Sequence, residues 1–471
     1  MEQNSKQFMK NLVGFSIGPI VGAILSFITV PITTYLVSPT DFGKAAMYTM
    51  GYTISSLFIF LGLDQAFVRE YNEHENKNNL FWNSLIFPLL FSFLLAIIYI
   101  IFYKPISLLM FDSIEKYVII ILALSLPFAI INRFNMLVLR MEEKAKIYSF
   151  LNILNKVLSI IILIPYLMFI DKSFKGIIIA TFINLVIICI IESYYVKHIF
   201  KVNFRFDKKL LNKLFKYGLP LVPATLIGWV FSSMDRMSLR EWSTFDEIGI
   251  YSAAFKIVAV LSIMQQAFCL SWVPTALKWH REKVSNHKYV QVSETILTVM
   301  VMLFSFIILF KDVIIRLLSS NYSSAANSVP FLLLFPIMYT ISETTTLGIS
   351  FSRKTYYNIV ISLVAAVVNF IGNFILVPRL GAMGASISTG ISYIVFFWMR
   401  TLISRSLWFK FDLRLYLANT FLMVTLASLS VTINNIFINL LIVLLIIFIN
   451  RVCILKIINV VKIWTYSRFR K

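Results

Sequence analysis

Long apolar runs broken by short polar segments dominate the chain. Runs of roughly 20 apolar residues suffice to cross a hydrocarbon core of about 30 Å as a helix. They fall at about 12–37, 43–66, 80–102, 117–140, 147–170, 176–197, 217–240, 247–273, 289–310, 329–351, 356–378, 382–404, 414–432 and 434–455. This predicts an all-α integral membrane protein of about fourteen transmembrane helices. The breaks are brief, as at Ser38 to Asp41, Tyr71 to Asn79 and Pro378 to Gly381. The longest one expected outside, Lys311 to Ser328, is too small for a folded domain. Met1 to Lys10 is polar and the run behind it lacks a cleavage site, so the first span is expected to stay.

The pattern repeats. Phe8 to Tyr48 and Leu214 to Phe255 share one hairpin plan, Phe102 to Phe128 parallels Phe310 to Ile337, Lys146 faces Lys354, and Gly176 faces Gly384. Such a repeat fixes the architecture before any single helix does. It predicts a six-helix bundle over 1–200, a basic linker over 201–216, a second bundle over 217–405, and two extra helices with a basic tail over 406–471. The hinge, Lys197 to Lys216, carries Lys197, Lys201, Arg205, Lys208, Lys209, Lys213 and Lys216 against one acid, Asp207.

Composition excludes an ordinary soluble globule: 59% of residues are hydrophobic, 14% are charged and mean hydropathy is +0.82. The net charge of +21 would suit a nucleic-acid binder, but its distribution argues otherwise. With the N-terminus inside and fourteen spans, 30 of the 43 Lys and Arg lie on cytoplasmic segments, nine lie outside and four within spans. That asymmetry orients the chain with both termini cytoplasmic. In this reading Arg400 counts as cytoplasmic.

Several spans carry polar stripes at helical spacing. The first has Gly14, Gly18 and Gly22 at four-residue intervals, smooth enough for a close helix contact, and prolines at 19 and 31 mark kinks. The fifth aligns Ser149, Asn152, Asn155, Lys156 and Ser159, the eighth Ser252, Lys256 and Gln266, the tenth Tyr339, Glu343 and Ser350, and the eleventh Asn369 and Asn373. The stripes suit either a wet cavity or hydrogen bonds between helices. Charges inside spans are functional candidates by default, because an ionised group at the bilayer centre costs at least about 2.5 kcal/mol. Arg133, Lys156 and Lys256 lie deep, and Glu343 is mid-span. Asp235 and Arg236 lie nearer the outer surface, while Glu192, Glu294 and Asp64 look shallow. Cys189, Cys269 and Cys453 stand singly in apolar runs as packing residues. No G-x-x-x-x-G-K-[ST], H-E-x-x-H or C-x-x-C occurs, and the four histidines lie in or beside loops. No metal, cofactor or catalytic residue is expected.

The opening VGFSIGPIVGAILSFITVPITTYLVSPTDFGKAAMY, its echo EIGIYSAA, the segment PRLGAMGASIST (Pro378 to Thr389) and the layout of six, six and two spans resemble the polysaccharide repeat-unit flippases. These are the Wzx-type exporters of O-antigen and capsule units, in the superfamily that also holds multidrug-and-toxin extruders and the lipid II flippase. The resemblance implies a V-shaped pair of bundles around a cavity opening alternately to each side. The implied substrate is an undecaprenyl-pyrophosphate-linked oligosaccharide, crossing the bacterial cytoplasmic membrane. By helix position it assigns cavity cations to Arg133, Lys156, Arg236 and Lys256, ion coupling by H+ or Na+ to Glu343 and Asp235, and polar cavity positions to Asn152, Asn155, Gln266, Asn369 and Asn373. Implied partners are the lipid-linked substrate, anionic membrane lipids, and the polymerase and chain-length machinery, with no nucleic acid. The first span has no arginine, and the charges of the second, Asp64 and Arg69, sit near its inner end. This departs from the lipid II branch. The alternatives are a drug or cation antiporter of the same fold, for which the deep charges are too positive, and a membrane polysaccharide polymerase, for which the outer loops are too short.

Overall fold

The computed structural model describes residues 18, 20–22, 24–200 and 205–469, so Gly14, Pro19 and Lys201 lie outside the described residues. Every regular element among them is helical. Two compact units result, Met1–Arg236 and Met237–Lys471. Among the described residues eleven helical stretches are long and apolar enough to cross a membrane, or twelve if one bent pair is a single span.

The first unit contains α1 (Ile20–Leu36), α2 (Pro39–Phe60), α3 (Leu63–Glu70), α4 (Lys77–Ile101), α5 (Tyr103–Phe111), α6 (Lys116–Met141), α7 (Ala145–Phe169), α8 (Phe174–Tyr195), α9 (Lys208–Gly218) and most of α10 (Val222–Trp242). Its centre is α6, which packs on α4 and α8. Half of the apolar window of α6 is buried, against 11% for α7, so α6 is the core helix and α7 a peripheral one. Phe67, Phe81 and Phe134 meet edge to face there, fully buried. The expected second span breaks at Leu61 and Gly62, both left-handed, and bends 52° between α2 and α3.

The basic hinge docks onto this unit from Arg205 onward. Asn79 Oδ1 accepts from the Arg205 amide at 3.2 Å, Asn83 Nδ2 donates to the Arg205 carbonyl at 3.0 Å, and Asn83 Oδ1 accepts from the Asp207 amide at 3.1 Å. Asp207 then caps α9 by accepting from Lys209 and Leu210 amides. The leucines of α9, Leu210, Leu211 and Leu214, are buried, while Lys208, Lys209, Lys213 and Lys216 are exposed. Lys213 pairs with Glu70, and Arg69 stacks over Tyr217 at 4.5 Å. At the break, a Cβ on Gly62 would collide with the Gly218 carbonyl, so two glycines let α9 sit on the bent span.

The second unit contains α11 (Phe245–Arg281), α12 (Asn286–Leu309), α13 (Lys311–Arg316), α14 (Ala325–Leu332), α15 (Leu334–Thr345), α16 (Leu347–Phe351), α17 (Tyr356–Leu407), α18 (Arg414–Thr432) and α19 (Ile436–Phe469). The stretch α14 and α15 is 78% buried and forms its core. The 52 residues of α17 are not one rod, for Gly381 is non-helical at φ 52° and ψ −128°. Asn369 Nδ2 donates to Thr389 Oγ1 at 3.2 Å across 20 residues, a span of about 30 Å in a straight helix. The chain must therefore reverse at Gly381. α17 accordingly holds two of the fourteen expected spans, and the first expected span, about 12–37, begins eight residues before the described helix α1.

One capping device occurs in both units. Ser38 Oγ accepts from the Asp41 amide, and Asp41 Oδ1 accepts from the amide of Phe174, the first residue of α8, at 3.0 Å. Thr244 Oγ1 likewise accepts from the Glu247 amide, and Glu247 Oε2 accepts from the Ala382 amide at 2.7 Å where α17 restarts. In each unit an acid early in one helix thus caps a later helix of the same unit, satisfying an end amide and complementing the dipole. The two sets lie 206 residues apart at the first pair and 208 at the second, matching the sequence repeat.

Just past α6, Glu142 accepts from His198 at 2.6 Å and pairs with Lys144 at 2.8 Å. Burial pushes this carboxyl up, but Lys144 and His198 outweigh it and hold it below the usual carboxylate value. Burial, with Glu142 nearby, pushes the Tyr71 phenol up to about 12.

Candidate functional site

The charges inside helices fall at a few polar junctions. In the first unit Arg133 of α6 reaches Asp64, in the first turn of α3, with Nη2 at 2.8 Å and Nε at 3.2 Å from the same oxygen. The arginine side chain remains 44% exposed while that of Asp64 is 10% exposed. Part of the guanidinium is thus committed and the rest remains exposed. Lys156 on α7 makes no ion pair among the described residues. Its stem lies against Gly22, where an added Cβ would stand 3.3 Å from Cγ.

The glycine stripe of the first span finds its partner here. Gly18 donates its amide to Ser149 Oγ of α7 at 3.1 Å, and a Cβ at Gly18 would be 2.7 Å from the Ser149 backbone. The polar stripe of α7 therefore divides. Ser149 and Lys156 face α1, Asn155 Oδ1 accepts from Asn184 of α8 at 2.9 Å, and Asn152 turns back to the Tyr148 carbonyl. Between α6 and α8, Asn132 donates to Glu192 Oε2 at 2.8 Å and Asn135 to Ser193 Oγ at 2.9 Å.

The matching junction of the second unit, between α15 and α17, is ionic. Arg400 Nη1 donates to Glu343 Oε1 at 2.7 Å and to Ser342 Oγ at 2.8 Å, and both charged residues are 8% exposed. The guanidinium carbon lies 5.0 Å from the Phe396 ring and 5.7 Å from that of Tyr339. Trp272 of α11 donates its indole N–H to the Glu343 carbonyl at 3.2 Å. Glu343, expected as a mid-span acid open to ions, is bound to Arg400, which the charge distribution places on a cytoplasmic segment. A signal for it existed: the offset of 208 that joins Lys146 to Lys354 also joins Glu192 to Arg400 and Asn135 to Glu343. The two repeats place different charges at one junction.

The remaining candidates are more dispersed. Asp235 is buried and Arg236 half-buried on α10, whereas Lys256 and Gln266 are exposed on α11. Asn369 and Asn373 form a buried ladder within α17, with Asn373 Nδ2 donating to Asn369 Oδ1 at 3.1 Å. No group of three or more His, Cys, Asp or Glu among the described residues could hold a metal ion. The candidate cations thus lie on separate helices, and the described residues offer no catalytic constellation.

Comparison with solved structures shows the same fold in a lipid II flippase, MurJ, in an inward closed conformation. The TM-score is 0.69 at 16% identity, over 93% of this chain and 97% of that one. An inward-facing multidrug-resistance MATE transporter of the MOP superfamily matches at TM-score 0.61 and 15% identity, over 84% and 97%. The probable low-salt glycan biosynthesis flippase Agl15 of Haloferax volcanii is 22% identical over 191 residues, 40% of this chain. The chain spans 40% of the length of that curated relative. A model of the family described as polysaccharide biosynthesis protein matches residues 8–280, more than half of the chain, which therefore belongs to that family.

Proposed function

We propose that the chain is a flippase that moves an undecaprenyl-pyrophosphate-linked oligosaccharide repeat unit from the inner to the outer leaflet of the bacterial cytoplasmic membrane, by alternating access, for capsule, O-antigen or exopolysaccharide synthesis. The observation that carries this reading is the family match over residues 8–280, and Agl15, a named glycan biosynthesis flippase, supports it. The chemistry agrees. A diphosphate diester bears about two negative charges and cannot enter hydrocarbon bare, so cations within spans must neutralise it. Arg133, half committed to Asp64 and half exposed, can grip a phosphate through its remaining N–H groups. Lys156 offers a second point charge, and Arg236 and Lys256 are assigned the same role. Asn152 and Asn155 of α7, which are not fully buried, serve the sugar hydroxyls, whereas Asn369 and Asn373 bond each other in the interior. Asp64 and Glu343 are each bound by an arginine, which disfavours the cation antiporter that would need open acids.

The test is transbilayer movement of a fluorescent undecaprenyl-pyrophosphate oligosaccharide in liposomes, read by a membrane-impermeant quencher. Vesicles holding the folded protein are expected to expose label faster than empty ones. Equal rates, with the protein helical by circular dichroism, refute the reading.

A further inference from the structure

Glu192 is a buried acid that the transport chemistry above leaves unused. It is 1% exposed, and among the described residues its carboxylate has one hydrogen-bond partner, the neutral amide of Asn132. Other buried acids are treated differently: Asp64 has Arg133, Glu343 has Arg400 and Glu70 has Lys213. Its position is also deeper than its place in α8 suggests. Glu192 is three residues from the end of α8, but Asn132, which it touches, is nine residues from the end of α6, about 13 Å along the axis. α8 simply stops short of α6.

We propose that Glu192 is a proton-binding site, taking up and releasing a proton as the protein works. An isolated carboxylate withdrawn from water without a cation costs several kcal/mol, and a buried acid avoids this cost by binding a proton. The step is an O–H bond made to one carboxylate oxygen and later broken, with water as donor and acceptor. The Asn132 N–H remains satisfied by the other oxygen throughout. Among the described residues no charged side chain pairs with Glu192. Cys189 on α8 and Tyr52 on α2 are uncharged side chains near neutral pH. Arg133 on α6 is held by Asp64, and Arg140 on α6 with Lys146 and Lys156 on α7 make no ion pair with it. The second unit needs no such site, because the equivalent position is Arg400 with its own acid.

As a coupling site this rests on the transport reading; as a proton site it does not. Infrared difference spectra of the full-length protein in nanodiscs, stepped between about pH 5 and pH 9, read it directly. A protonated-carboxyl stretch should appear and vanish in wild type and be missing in Glu192→Gln, which keeps an oxygen for Asn132. Asn132→Ala removes the donor that favours the ionised form, so the same titration should move to higher pH by about one unit. A band that persists in Glu192→Gln, or does not move in Asn132→Ala, overturns the proposal. In liposomes, an imposed pH gradient should change the wild-type flipping rate but not that of Glu192→Gln. Loss of the band with no flipping by any form would sink the transport reading and leave the proton site standing.

Discussion

Replacing Arg400 by Met tests whether the ion pair of the second unit is structural. At an effective dielectric of about 20, unit charges 2.7 Å apart attract by about 6 kcal/mol. Desolvation of two groups each 8% exposed offsets much of that. The pair's net worth is therefore small, but removing one partner strands the other. Arg400→Met leaves Glu343 buried without its cation and should cost about 3 to 5 kcal/mol. The double variant Arg400→Met, Glu343→Leu strands nothing and should return to within about 1 kcal/mol of wild type. The bonds to Ser342 and Glu343 both leave Arg400 through Nη1, so a lysine could replace them, though not the contacts with Phe396 and Tyr339. Arg400→Lys should accordingly fall between wild type and Met. Thermal unfolding in detergent, followed by tryptophan fluorescence, suits the question because Trp272 touches Glu343. The structural role fails if Arg400→Met melts with wild type, or if the double variant is no more stable than its weaker parent. Flipping by the double variant would further show that Glu343 exchanges no ion.

Gly62→Ala must adopt φ 71° and meet the Gly218 carbonyl, so it should lose about 1 to 3 kcal/mol and free α9; faster tryptic cleavage within Lys208 to Lys216 would show the release. For Lys156, Arg should retain most flipping and Gln should lose it at unchanged membrane abundance. Degradation of the Gln form would instead mark a packing role beside Gly22. The Glu142 carboxyl is held below its ordinary value, so its contribution, less than about 1 kcal/mol given its exposed partners, is complete above that value and lost as pH falls through the depressed one. Melting temperature against pH should therefore drop less at the acid end in Glu142→Gln than in wild type.

What the sequence revealed, and what it hid, follows from the period and the reach of each signal. Local signals were legible. Apolar runs gave the helices, the landmarks at offsets of 206 to 208 gave the duplication, and the short break before Gly381 gave the reversal inside α17. Asp41 and Glu247 stood in the motifs that carried the family resemblance, and their caps on Phe174 and Ala382 give a physical reason for an acid at those places. Pairing across helices was not legible. Arg133 and Asp64 lie 69 residues apart, and Arg400 and Glu343 lie 57 apart. A helical wheel gives the face of each residue but neither the axial offset nor the rotation between two helices. That offset misplaced Glu192, since depth counted from the end of α8 ignores how far α6 continues beyond it. The glycine stripe shows the same limit: it announced a close approach, but only packing could say that Ser149 of α7 fills it. The repeat is the one sequence feature that reaches across this gap. Glu192 corresponds to Arg400 and Asn135 to Glu343, so the α6–α8 junction of one half locates the α15–α17 junction of the other, although the side-chain pairs made there and their charges differ.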